Sequence, residues 1–323
     1  MERFVAALRP RSNAMFSIPT KFAQTQIELH GADGERWLAH LPALLDDLAE
    51  RWSLTLEPPF EMLSYNYAAP ATRAADGTPV VLKVGFPWPE TLSEIAALRA
   101  YDGRGICRLL DADEDRGAML LERLLPGTML VPMTEAGDDD RATRIAAGVM
   151  RDLWRPAPAD VSAFPDFAEW TGGLAALRPF YEGGTGPFPT ALVDRAERLH
   201  AELLASAPEP VLLHGDLHHY NVLAATRAPY LAIDPKGLIG EPAYEPSNYL
   251  RNPMDWVLAQ PDPARVLARR LDIFTDELGL PRERILAWGI MQTVLSAWWN
   301  VEGHGHGYEP DLRIAELLVG LQP

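Results

Sequence analysis

Apolar residues recur at helical spacing from Gly34 to Trp52, where Trp37, Leu38, Leu41, Leu44, Leu45 and Leu48 predict an amphipathic helix ahead of any sheet. Strand-like runs follow at Phe60 to Tyr67 and Val80 to Phe86, and the turn-rich Ala74-Ala75-Asp76-Gly77 between them predicts a hairpin. Pro89 stands where the first turn of a helix tolerates it, and Leu92, Ile95, Ala96 and Leu98 carry a helical pattern on to Tyr101. Ile106 to Leu110 and Ala118 to Leu121 read as two more strands, with Asp111 to Gly117 as their turn. The segment Glu122-Arg123-Leu124-Leu125-Pro126-Gly127 breaks this pattern. Beyond it the periodicity is mostly helical, as in Ala191 to Leu204 with Leu192, Leu199 and Leu203 on one stripe. Ile285 to Trp299 is the most apolar run, and Gln292, Thr293 and Ser296 within it mark a core helix. The run Asp138-Asp139-Asp140 is expected to favour the N-terminal dipole of the helix after it.

The break divides the chain into residues 1–124 and 125–323, two unequal lobes for a chain of 323 residues with 47% hydrophobic content. With 45 acidic residues against 29 Lys plus Arg, the formal charge of −16 opposes the basic footprint of a nucleic-acid binder, and the acidity either serves solubility or draws a cationic small molecule. Cys107 is the only cysteine, so no internal disulfide or thiolate metal cluster can form. Met1 to Gln24 holds no continuous apolar core of a signal peptide, and no stretch reaches the ~18 apolar residues of a membrane span. The expected location is the cytoplasm.

The chemistry concentrates in Val211-Leu212-Leu213-His214-Gly215-Asp216-Leu217-His218-His219-Tyr220-Asn221-Val222-Leu223 and Tyr230-Leu231-Ala232-Ile233-Asp234. Asp216 precedes Asn221 by five positions and a second Asp closes the next strand, the order of acid, amide and acid found in protein-kinase catalytic loops. Phosphoryl transfer has a loose transition state, so the protein mainly positions the attacking hydroxyl and neutralises charge. Asp216 is read as the base that orients the hydroxyl and accepts its proton. Asn221 and Asp234 offer the oxygen ligands that Mg2+ takes alongside ATP oxygens. Upstream, Lys83 lies on the apolar strand Val80-Val81-Leu82-Lys83-Val84, suited to the ATP phosphates, with Glu94 on the next helix as its counter-charge in preference to Glu90.

These residues resemble the aminoglycoside phosphotransferase superfamily of the protein-kinase-like fold, and more closely the streptomycin phosphotransferase and hydroxyurea resistance kinase family. The resemblance runs from about Ile18 through Leu29-His30-Gly31 and Trp37 to Leu45, and on to Gly240-Glu241-Pro242-Ala243-Tyr244-Glu245 and Leu250-Arg251-Asn252-Pro253. Its most specific motif is His214-Gly215-Asp216-Leu217-His218 with Asn221, followed by a strand ending in Asp234. It implies an α+β, bilobal fold: residues 1–124 form a nucleotide-binding lobe with antiparallel sheet and helical N-terminal extension, and residues 125–323 a mostly helical catalytic and acceptor-binding lobe. It further implies adenine bonded to the backbone of Glu122 to Leu124, Lys83 on phosphates, Mg2+ on Asn221 and Asp234, and Asp216 as the base. One departure is plain: Ser64-Tyr65-Asn66-Tyr67 lacks the Gly-x-Gly-x-x-Gly of protein kinases, and either Ser64 or Asn66 bonds phosphate there or the segment is a plain turn.

The expected activity is ATP-dependent phosphorylation of a hydroxyl on an aminocyclitol or related acceptor, the alternatives being a housekeeping sugar or metabolite kinase and a non-catalytic pseudokinase module. Candidates for the acceptor pocket are Glu245, Asp255, Trp256, Trp298 and Glu302. His214 is expected to shape the loop, and His218 and His219 either line the acceptor pocket or serve as turn and core residues. Lys236 either neutralises charge near the metal or makes a salt bridge, while Glu241, Tyr244 and Glu245 are expected to fix the loop after Asp234. A metallohydrolase reading of His214, Asp216, His218 and His219 leaves Lys83 and Asp234 unexplained. His304 and His306 are read as part of a glycine loop.

Overall fold

The computed structural model describes residues 18–322, so the reading of Met1 to Gln24 falls largely outside it. The chain packs as two units, one reaching from the first described residue to Ile95 with Cys107–Arg123, the other comprising Ala96–Ile106 and the chain from Leu124 onward.

The first unit opens with helix α1, Thr20–Arg51, which starts well before the expected Gly34 and bends at Gly31, where φ is 56°. Gly34 has to be small: a Cβ there would lie 2.3 Å from the Gln26 carbonyl oxygen, so only glycine lets the second arm fold this close to the first. Leu38, Leu41, Leu45 and Leu48 are buried as the helical spacing requires, packed in one core with Phe22, Tyr67 and the inward residues of the sheet. That sheet is antiparallel, in the order β1-β2-β3-β5-β4: β1 is Leu54–Leu56, β2 Tyr67–Arg73, β3 Pro79–Val84, β4 Leu109–Asp113 and β5 Ala118–Glu122. Helix α2, Pro89–Tyr101, has the bounds its sequence predicts.

Two expected strands are misplaced. Phe60 to Asn66 is irregular with Phe60 and Met62 exposed, and the strand begins only at Tyr67. Pro70 inside β2 disguises it, yet the ladder tolerates that proline because its carbonyl, and with it the position of the missing N–H, faces Glu57 beyond the end of the β1–β2 pairing. The strand expected at Ile106 to Leu110 starts at Leu109 and runs on to Asp113.

The second unit contains two small antiparallel sheets among helices. One is β10-β9-β6, from Tyr230–Ala232, Val222–Ala225 and Pro126–Met129, and the other β11-β8-β7, from Leu238–Gly240, Val211–Leu213 and Arg155–Pro156. The helices that matter to the site are α3 (Asp139–Leu153), α4 (Thr190–Ala205), α5 (Pro246–Arg251), α6 (Pro263–Leu278) and α7 (Arg282–His304). In α7 every residue from Ile285 to Trp298 is buried, the core helix that its sequence predicts. No described helix is long and apolar enough to cross a membrane.

Candidate active site

In the first unit, β3 lies between β2 and β5, with Lys83 opposite Ala68 and Met119, so Lys83 is a central-strand and not an edge residue. Buried Val80, Leu82 and Val84 fix the strand, and Lys83 Nζ donates to Glu94 Oε1 of α2 at 2.5 Å, both side chains being buried. Burial makes this pair demanding: a lone ammonium there would cost several kcal/mol, so each charge requires the other. At the end of β5, Glu122 Oε2 accepts the Arg108 backbone N–H at 3.0 Å. Ser64 and Tyr65 are exposed and Asn66 is half-buried, all in the loop before β2.

In the second unit, β8 delivers the chain into the loop His214 to Asn221 and β9 carries it away. Gly215 has φ 83°, and a Cβ on it would stand 2.8 Å from Leu238 Cγ, so glycine is required for the turn that presents Asp216. The Asp216 side chain is 31% exposed, open to a substrate. Asn221 Nδ2 donates to the Asp216 carbonyl at 3.0 Å, which commits the amide nitrogen and leaves Oδ1 as the metal-type ligand atom. The Asn221 carbonyl in turn accepts the Ile233 N–H at 3.0 Å, so the residue before Asp234 is bonded directly to Asn221. Asp234 itself adopts φ 60°, a left-handed conformation that Asp tolerates better than most residues.

His214 ties these pieces together. Its Nε2–H donates to the Ile233 carbonyl at 2.7 Å, and its Nδ1 accepts the Asp216 N–H at 3.2 Å. Burial drives its pKa down to about 4, so the ring is neutral and both nitrogens are engaged. It serves as the loop support the sequence suggests, and the described residues contain no group of three or more His, Cys, Asp or Glu side chains that could hold a metal ion, which leaves the metallohydrolase reading without a ligand set. Burial lowers the pKa of His218 as well, against the charges of Asp216 and Asp234, which act on both rings. His218 Nε2 lies 3.7 Å from Asp216 Oδ1. Oxygen donors alone, one amide and one carboxylate beside an open Asp216, fit a hard cation such as Mg2+ that takes its remaining ligands from nucleotide and water.

Glu245 is corrected from an acceptor candidate to a support of the catalytic loop. It is buried, and its two oxygens accept the backbone N–H groups of His214 at 2.8 Å and Gly215 at 2.9 Å. Burial pushes its carboxyl up to about 7, against those two bonds and with the help of the Asp216 charge. It thus fixes the loop before Asp216 and not the one after Asp234; Asn248 Nδ2 adds a bond to the Gly215 carbonyl at 3.2 Å. Glu241 serves elsewhere, accepting from Arg284 Nε at 2.9 Å and from Trp288 of α7. Trp298 is also buried, whereas Asp255 and Glu302 are exposed.

The acid run stands at the start of α3 as expected, Asp138 at the N-cap position and Asp139 and Asp140 in the first turn, although no side chain makes a capping hydrogen bond. Asp139 instead receives Arg270 of α6 through two bonds of 2.9 and 2.7 Å, and bonds from His219 and Arg270 hold its carboxyl well below the usual range although burial opposes this. Arg270 is wholly buried and also donates to the carbonyls of Leu250 at 2.9 Å and Asn252 at 2.5 Å. His219 stacks on Tyr249 at 3.8 Å, which makes it a core residue with burial lowering its pKa to about 3. This brace behind the loop was not read from the sequence. A lone arginine in the apolar stripe of α6, beside Leu267, Leu271 and Phe274, was the available signal.

The fold matches solved structures of kinase-like phosphotransferases. It resembles the aminoglycoside phosphotransferase APH(4)-Ia with TM-score 0.56 at 15% identity, over 86% of this chain and 99% of that one. Choline kinase LicA from Streptococcus pneumoniae gives 0.58 at 14% identity, over 85% and 98%. At that identity the likeness establishes the protein-kinase-like fold alone. Sequence goes further. The chain is 35% identical to streptomycin 6-kinase of Streptomyces glaucescens, over 96% of this chain and 99% of that protein. It is 36% identical to hydroxyurea phosphotransferase of Kitasatospora aureofaciens, over 96% and 88%. The profile of the aminoglycoside/hydroxyurea antibiotic resistance kinases matches residues 67–303, and the chain belongs to that family. It is a phosphotransferase of the kinase class, so the pseudokinase alternative falls away.

Proposed function

We propose that this protein transfers the γ-phosphate of Mg-ATP to a hydroxyl of a streptomycin-type aminocyclitol. The observation that carries this reading is the hydrogen-bonded chain from Asp216 through Asn221 to Ile233 and Asp234, which holds a base and two oxygen ligands in the order phosphoryl transfer needs. Asp216 orients the acceptor hydroxyl and takes its proton as the new P–O bond forms, while ADP leaves. Asn221 Oδ1 and an Asp234 oxygen hold the metal, and Lys83, kept in place by Glu94, binds nucleotide phosphates, with the Glu122 to Leu124 backbone on adenine. Mg2+ supplies charge neutralisation on the phosphates. The acidic balance supports a cationic small acceptor over nucleic acid, and the single, buried cysteine supports the cytoplasm.

The direct test offers the purified protein ATP with streptomycin or with hydroxyurea, and follows ADP release together with the phosphorus NMR signal of the product. A new phosphomonoester on streptomycin is expected. The comparable identity to the hydroxyurea enzyme makes hydroxyurea the second reading. Turnover with hydroxyurea and none with aminocyclitols would replace the first by the second.

A further inference from the structure

The loop of residues 57–66 between β1 and β2 contains no glycine and begins Glu57-Pro58-Pro59, so it cannot wrap phosphates by the backbone freedom that a glycine-rich loop uses. Its last residues lead into Tyr67 and Ala68, the second of which is paired with Lys83, so the loop ends at the strand position that carries the lysine. Something outside the loop has to set its shape. The first arm of α1 supplies this: Gln26 is wholly buried and its Nε2 donates to the Tyr65 carbonyl at 3.0 Å. Phe22, one turn earlier, meets the Tyr67 ring edge-on at 6.2 Å, and His30, one turn later, stacks on Phe86 beyond β3 at 4.3 Å. The helix therefore lies against both strands at the open end of the β2–β3 hairpin, where Tyr67 pairs with Val84 next to Lys83.

Gln26 is an expensive residue for mere packing. It interrupts an apolar face with a buried amide, and its Oε1 has no hydrogen-bond partner among the described residues. Burying a half-satisfied amide costs more than an apolar side chain of the same length, so its contribution to stability is close to zero or negative. What it does achieve is a fixed position for the Tyr65 carbonyl.

We infer that Gln26 is a positioning residue for nucleotide binding: it tethers the glycine-free loop through the Tyr65 carbonyl and thereby holds residues 64–66 over the ATP phosphates. The helical extension is then a working part of the nucleotide site. This rests on the kinase reading above.

The test is Gln26→Met, which keeps the length of the side chain and removes the donor. The KM for ATP and the dissociation constant for Mg-AMP-PNP should each rise about fivefold, the equivalent of one hydrogen bond, with kcat at saturating ATP and the KM for acceptor unchanged. The melting temperature should hold or rise. Unchanged nucleotide affinity overturns the inference, as does a parallel loss of both KM values with a lowered melting temperature. A second measurement needs no variant: hydrogen exchange of the wild-type protein with and without Mg-AMP-PNP. Residues 22–30 should gain protection together with residues 60–67, and protection of the loop alone overturns the tether. A wild-type protein that binds no Mg-nucleotide at all would instead sink the kinase reading itself.

Discussion

At the scale of single residues, the Lys83–Glu94 pair separates stability from function. Lys83→Met leaves the Glu94 carboxylate buried without its partner, a loss of about 3–5 kcal/mol, and raises the KM for ATP. Adding Glu94→Leu should restore most of the stability, because an apolar pair of similar volume fills the same space, and should restore none of the activity. Denaturant melts beside ATP kinetics on the two variants check this; recovery of turnover in the double variant would show that the pair is structural. Asp234→Ala should abolish the Mg2+ dependence of nucleotide binding, read by titration with and without the metal. The order of Asp216, Asn221 and Asp234 was legible in the sequence because loop chemistry is local. The role of Glu245 was not, since two backbone N–H groups thirty residues away leave no trace in a periodicity.

At the scale of elements, the Glu245 contact makes the catalytic loop's support depend on pH. A carboxyl raised from 4.5 to about 7 by burial binds its proton more tightly in the native state than in the unfolded one. Its stabilising contribution is therefore complete below about pH 4.5 and is lost as pH rises through 7, an effect of about 3 kcal/mol. Buried His214 acts in the opposite sense, being neutral when folded, so its contribution is present above pH 6.5 and fades as pH falls towards 4. Comparing Glu245→Gln with wild type isolates the first effect: the difference in unfolding free energy between them should change between pH 5 and pH 8 and level off above it. A constant difference would contradict the buried, raised carboxyl. Helix α4 could be read from the chain because its buried Leu192, Leu199 and Leu203 recur on one stripe, α7 because its apolar run is continuous, and α2 because Pro89 marks its first turn. The hairpin was harder to read. Phe60, Met62 and Leu63 alternate or cluster like a strand yet lie in a loop held from outside, while the true strand Tyr67–Arg73 is built of small residues and a proline.

At the scale of the whole molecule, membership of the aminoglycoside/hydroxyurea kinase family and the kinase-like fold agree with the acid, amide and acid order that the sequence displays. The charge of −16 adds a consequence for the acceptor. A cationic aminocyclitol should bind with a KM that rises with ionic strength, whereas neutral hydroxyurea should show no such rise. Initial rates from low to about 0.5 M salt distinguish the two, and equal salt response would remove electrostatic attraction from the account. The most direct test of the central claim remains Asp216→Asn, assayed for ATP turnover and, in parallel, for Mg-AMP-PNP affinity. The loop predicts a fall in kcat of about a hundred- to ten-thousand-fold with nucleotide affinity kept within about threefold. Near-normal turnover in that variant would contradict Asp216 as the base.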